Sequence, residues 1–62
     1  MRITVKAEWL RACGYNAEGN RTFKVVFTYP GRLPDGTRMF DIDFNGRVWT
    51  VAEWRCEQVM ED

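Results

Sequence analysis

The chain contains no histidine and no serine, has only two cysteines and two prolines, and nowhere runs apolar for more than a few residues. Each absence removes a class of chemistry. Without histidine or serine there is no Ser-His-Asp or Cys-His catalysis, no imidazole ligand for a metal, and none of the commonest general base near neutral pH. A nucleophile would have to be Cys13 or Cys56, Lys6 or Lys24, a threonine, a tyrosine or a carboxylate, with no imidazole to activate it. Structural zinc takes four Cys or His ligands in paired spacings, which two distant cysteines do not supply. The expectation is a protein that is not an enzyme and that carries no metal and no cofactor.

A membrane-spanning helix needs about 20 consecutive apolar residues, so none is expected. No apolar stretch of the kind that opens a secretory leader follows Met1-Arg2-Ile3. The corresponding expectation is a cytoplasmic protein whose Cys13 and Cys56 stay reduced, as buried or half-buried free thiols.

What remains is 62 residues, 45% hydrophobic and 15% aromatic, which suits one small domain spanning 1–62 and is too apolar for a disordered tail. Folding at this length buries only about 60% of the chain's surface, so binding to a partner or self-association helps to stabilise it. The net charge is zero but unevenly placed. Residues 1–40 hold seven basic against three acidic side chains, and residues 41–62 hold two against six. Oppositely charged strands facing each other across a sheet account for that asymmetry.

Apolar residues recur at alternate positions, the period of a strand. A first strand is expected over Arg2–Leu10, with Ile3, Val5, Ala7 and Trp9 on one face, followed by a loop from Gly14 to Asn20. A second strand, Arg21–Tyr29, points Phe23, Val25, Phe27 and Tyr29 inward and leaves Val26 exposed. Leu33-Pro34-Asp35-Gly36-Thr37 is a turn with glycine at positive φ. Counting back from that turn sets Tyr29 opposite Asp41, aromatic face against acidic face, so the phase must be restored by an irregularity, expected at Pro30-Gly31.

Met39–Phe44 forms the third strand, and Asn45-Gly46 is a two-residue type I′ hairpin turn. Its register pairs Phe44 with Arg47, Ile42 with Trp49 and Phe40 with Val51. The tail reads as a continuation of the fourth strand with a bulge near Ala52-Glu53, placing Trp54 and Cys56 on one face and Arg55 and Glu57 on the other. The resulting fold is all-β: a four-stranded antiparallel meander curled into a small roll or open barrel. A three-stranded antiparallel sheet with a helix made from the tail is the alternative, because Thr50-Val51-Ala52-Glu53 also resembles a capping box.

Three constellations invite a functional reading. Asp41, Asp43, Asn45 and Gly46 match the opening of a calcium loop, but residue 52, where a bidentate acid belongs, is alanine, and the flanks read as strands. Hairpin geometry explains the same residues. A second set, Arg21, Lys24, Arg38 and Tyr29, combines cations with an aromatic platform, the pattern of a small β-barrel that binds single-stranded nucleic acid. The isoelectric point near 6.2 gives little electrostatic support for that.

The third set is the favoured one, a surface for a larger protein partner built from Trp54, Met39, Leu33, Arg32 and Arg38, with Asp41, Asp43, Glu53 and Glu57 as an acidic second surface. Aromatic, methionine and arginine side chains are the types enriched at interface centres. A homodimer seam is the other fate of these side chains. Function is therefore expected to be occupation of a partner's surface, in the manner of an accessory or inhibitor protein of phage or mobile-element type.

Overall fold

The structure is a computed structural model that describes residues 1–61. Five strands form one antiparallel sheet: β1 (Arg2–Val5), β2 (Arg21–Thr28), β3 (Met39–Phe44), β4 (Arg47–Ala52) and β5 (Cys56–Met60), in the order β4-β3-β2-β1-β5. A helix, α1 (Ala7–Ala12), leads out of β1, and a single 3₁₀ turn, Glu53–Arg55, joins β4 to β5. The all-β, open-roll expectation therefore holds, and the tail is a strand, not a helix. It is a separate fifth strand on the far edge, paired with β1, and among the described residues no ladder joins it to β4.

The expected first strand is corrected at Val5. Alternation over residues 3, 5, 7 and 9 fits a strand, but Ala7, Glu8, Leu10, Arg11 and Ala12 are strong helix formers, and Ala7 with Leu10 gives a buried pair at helical spacing. Lys6 brings no side-chain cap, and the Asn20 side-chain oxygen instead accepts the Ala7 N–H at 2.9 Å. The far end closes as a Schellman motif. Gly14, at φ 91°, donates to the Arg11 carbonyl, and the Tyr15 N–H returns to Leu10.

The hairpin β3–β4 has the register read from the sequence, Phe44 with Arg47, Ile42 with Trp49 and Phe40 with Val51. Asn45 and Gly46 both take positive φ, at 54° and 75°, as a type I′ turn requires. The phase conflict between β2 and β3 is real but is resolved elsewhere than at Pro30-Gly31. The register shifts between Val25, which faces Ile42, and Phe27, which faces Asp41, leaving Val26 as the extra residue of a bulge. Phe27 and Tyr29, expected inward, consequently stand on the outer face, both exposed. A bulge inside the strand also adds twist, which a sheet coiled this tightly needs.

The core lies on the inner face. Ile3, Val5, Phe23, Phe40, Ile42, Phe44 and Val51 come from the sheet, while Ala7 and Leu10 of α1 and Ala17 of the following loop close over them. Trp9 meets Trp49 edge-on at 6.2 Å, and Phe44 takes edge contacts from Tyr15 and Phe23. Trp54, expected beside Cys56, sits instead in the 3₁₀ turn, half exposed, with the Arg55 guanidinium stacked on it at 3.9 Å. Cys56 turns toward the core, and neither cysteine is in a disulfide.

Leu10 is completely buried and Phe27 is 51% exposed, so truncation separates the two roles. Leu10→Ala is expected to cost about 2–5 kcal/mol, enough to unfold most of so small a domain, whereas Phe27→Ala stays within about 0.5 kcal/mol. Urea denaturation followed by tryptophan fluorescence measures both.

Candidate protein-binding surfaces

The residues expected to form a partner surface divide among distinct places. Arg38, immediately before β3, is committed within the fold. Its guanidinium makes two hydrogen bonds to the Glu53 carboxylate, at 3.2 and 3.1 Å, and a third to Glu61 at 2.6 Å, while its backbone N–H also donates to Glu53. The Glu53 N–H in turn donates to the Arg38 carbonyl at 2.9 Å. One side chain thus ties the entry to β3, the 3₁₀ turn and the end of β5. The guanidinium also lies over the Phe40 ring at 5.4 Å. These bonds hold the Glu53 carboxyl below its ordinary value and push the Arg38 guanidinium further toward its charged form.

Around this anchor lie other members of the predicted set. The loop between β2 and β3 carries Arg32, which donates to the Gly36 carbonyl at 2.8 Å and adds a favourable charge near Glu53. Leu33, exposed, opens the tight turn in that loop, where Gly36 donates to the Leu33 carbonyl and Asp35 accepts the Thr37 N–H. The Thr37 hydroxyl, and then its N–H, lower the Asp35 carboxyl. Met39 is opposite Ala52 at the start of β3, and Trp54 follows Glu53 in the turn. Glu57 is elsewhere, exposed at the bulge of edge strand β5.

Asp41 and Asp43 belong to a different surface, the outer face of β2, β3 and β4. Asp41 accepts hydrogen bonds from the Thr50 hydroxyl at 2.8 Å and the Tyr29 hydroxyl at 3.1 Å, so its two oxygens tie β3 to β4 and to the residue that follows β2. Asp43 is exposed and faces Val48 across the hairpin. Beside them stand Val26, Phe27, Tyr29 and Val48, all exposed, with Phe27 and Tyr29 in edge contact at 5.0 Å. Sequence reasoning identified Val26 as exposed but assigned Phe27 and Tyr29 to the core and left Val48 aside. The signal was present in the pairing of an aromatic face with an acidic one. A bulge inside β2 turns that conflict into a mixed apolar and acidic surface.

The residues of the nucleic-acid reading do not converge. Arg21 opens β2, whereas Tyr29 comes just after its last residue, at the far end of the strand. Arg21 is drawn onto the rings of Tyr15, Phe23 and Phe44 and donates to the Tyr15 hydroxyl. Lys24 faces Arg2 of β1, and Tyr29 and Arg38 are engaged as described above.

Among the described residues there is no cavity of ligand size and no cluster of three potential metal ligands, and no helix is long and apolar enough to cross a membrane. Burial, reinforced by the Glu53 charge, pushes the Cys56 thiol up to about 11, a protonated and unreactive state at neutral pH. Comparison with family models, with curated proteins and with solved structures gives no match to this chain.

The Arg38–Glu53 pair makes stability depend on pH in a definite sense. Because the Glu53 carboxyl is lowered on folding, its contribution is complete above the ordinary carboxylate range and is lost as pH falls through the lowered value. Glu53→Gln is expected to cost about 0.5–1 kcal/mol at pH 7, a figure reduced for solvent screening of a pair that is partly exposed. The difference from the parent chain should shrink between about pH 5 and pH 3, measured by thermal denaturation across that range.

Proposed function

We propose that this chain is a non-enzymatic protein-interaction module that occupies a surface of a larger protein with the outer face of β2, β3 and β4. The observation that carries the reading is the grouping of Val26, Phe27, Tyr29 and Val48, exposed on one face, beside Asp41 and Asp43. A stable monomer gains nothing by ordering two aromatics and two valines in water on a rigid sheet, whereas an interface centre is built from such side chains. The acidic residues favour a partner whose apolar patch is bordered by lysine or arginine. Trp54 and Leu33, exposed at the Arg38–Glu53 corner, supply a second contact region.

Blocking is the mode of action that suits so small a rigid face. An accessory or inhibitor protein of the phage or mobile-element type would work in this way, and the unpaired Cys13 and Cys56 suit a reducing, cytoplasmic setting. The dispersal of Arg21, Lys24, Tyr29 and Arg38 gives no continuous cationic groove that would favour single-stranded nucleic acid instead.

The test uses Phe27→Arg and Val48→Asp, which change exposed positions, beside Trp54→Ala at the corner. Affinity capture with the parent chain should retain a partner in defined stoichiometry, and either outer-face variant should weaken that complex by at least tenfold while amide NMR spectra stay dispersed. Saturable binding to mixed single-stranded oligonucleotides that weakens steeply with salt, and depends on Lys24 or Arg21, would replace this reading with the nucleic-acid one.

A further inference from the structure

Of the asparagines Asn16, Asn20 and Asn45, only Asn45 is followed by glycine. An asparagine carboxamide is an electrophile for the backbone nitrogen of the next residue, because attack at Cγ closes a five-membered ring, and a glycine in that place has no Cβ to crowd the approach. Asn16 and Asn20 precede Ala17 and Arg21, and the Asn20 side-chain oxygen is already held by the Ala7 N–H at 2.9 Å. Asn45 has no such protection. It is exposed, and open space surrounds the place where a Gly46 Cβ would stand. Among the described residues no hydrogen bond engages its carboxamide or the Gly46 N–H.

The comparable acidic step, Asp35-Gly36, is guarded. Its Gly36 N–H donates to the Leu33 carbonyl at 2.8 Å, and the Asp35 carboxylate accepts the Thr37 N–H at 2.9 Å. The same contacts keep that carboxyl ionised, which makes it a poor electrophile. Asn45 is restrained only by the turn it occupies. A type I′ turn sets ψ of its first central residue near about +30°, which leaves the next nitrogen on the far side of the Cα–C bond from Cβ. The φ values of 54° and 75° place Asn45 and Gly46 in that turn. Ring closure requires the bond to rotate, and rotation undoes the turn that sets Phe44 against Arg47.

We infer that Asn45 is a self-modification site, at which the Gly46 nitrogen expels the side-chain amide as ammonia when the hairpin tip opens, and water then turns the ring into a carboxylate. Solvent base removes the Gly46 amide proton, the N–Cγ bond forms, and the Cγ–Nδ2 bond breaks as ammonia leaves with a proton. Water next opens the cyclic imide at one of its two carbonyls, so amide plus water becomes acid plus ammonia with no oxidant involved. Opening at Cγ gives aspartate, which suits the same turn. Opening at the main-chain carbonyl gives isoaspartate, in which the backbone runs through the side chain and is longer by one methylene. A two-residue turn lengthened in this way no longer closes Phe44 against Arg47. The Phe44 carbonyl also accepts the Trp49 indole N–H at 3.3 Å, so Trp49 reports the loss, and Asp43 with Val48 form the next pair along. This chemistry goes beyond the proposed function and does not depend on it.

The full chain is incubated in mildly alkaline buffer, folded and in unfolding urea, with Leu10→Ala as an unfolded control free of denaturant, and peptide mass mapping follows each asparagine. Acid is expected at residue 45 ahead of 16 and 20, and about tenfold or more slower in the folded chain, because opening of the tip gates the reaction. The aspartate and isoaspartate products are then separated by chromatography. Asn45→Asp, which carries the charge without the extra methylene, is expected to match the parent in tryptophan fluorescence and in hydrogen-exchange protection of β3 and β4. The isoaspartate product is expected to differ in both. An amide at 45 that survives unfolding, conversion of Asn16 or Asn20 at the same rate, equal rates in the folded and unfolded chains, or an isoaspartate product indistinguishable from Asn45→Asp overturns the inference.

Discussion

The constraint on which the rest depends is the short link between the two edges of the sheet. Five flat strands at the usual spacing put the outermost pair about 19 Å apart. Three residues wound as a 3₁₀ turn carry the chain from Ala52 to Cys56 over only about 8 Å. β4 and β5 are nonetheless the outermost strands, so the sheet must coil until its edges nearly meet at that corner. Coiling creates the concave face on which Phe40, Ile42, Ile3, Val5 and Val51 are shut away from water, with Leu10 of α1 brought over them. A chain with so few residues reaches a closed core by this route without a second layer of sheet.

Two features follow from that corner. The first is the network around Arg38, which bonds Glu53 in the turn and Glu61 just beyond β5, so the point where the edges converge is fixed by charge as well as by the turn. An arginine that looks from the sequence like a free contact is thereby held by its own fold. The second is the bulge at Val26. Extra twist in β2 allows the sheet to coil, and the same extra residue reverses the side-chain phase, sending Phe27 and Tyr29 outward. The exposed face proposed to bind a partner is thus a consequence of how the core is closed.

Local chemistry made much of the fold legible. Asn45-Gly46 imposed a type I′ turn, which fixed the register of β3 with β4 and the inward placement of Phe40, Ile42, Phe44 and Val51. Leu33 to Thr37 gave the second turn, and the count from it exposed a phase conflict between Tyr29 and Asp41. Where that conflict would be absorbed was not legible, because a bulge is chosen by the twist of the assembled sheet. Alternation at residues 3, 5, 7 and 9 concealed α1, since a helix of six residues has too few turns to display its own period and only Leu10 departs from the strand pattern.

By itself, then, the sequence determined the β class, the two turns, the hairpin register and the exclusion of imidazole chemistry, because each depends on residue type or on neighbours a few positions away. The tertiary structure alone decided that Cys56–Met60 crosses to pair with β1, that Asn20 caps a helix thirteen residues earlier, that Arg38 is occupied and that Phe27 and Tyr29 face water. Those outcomes depend on residues distant in sequence, and they arise only when a coiled sheet brings its edges and loops together.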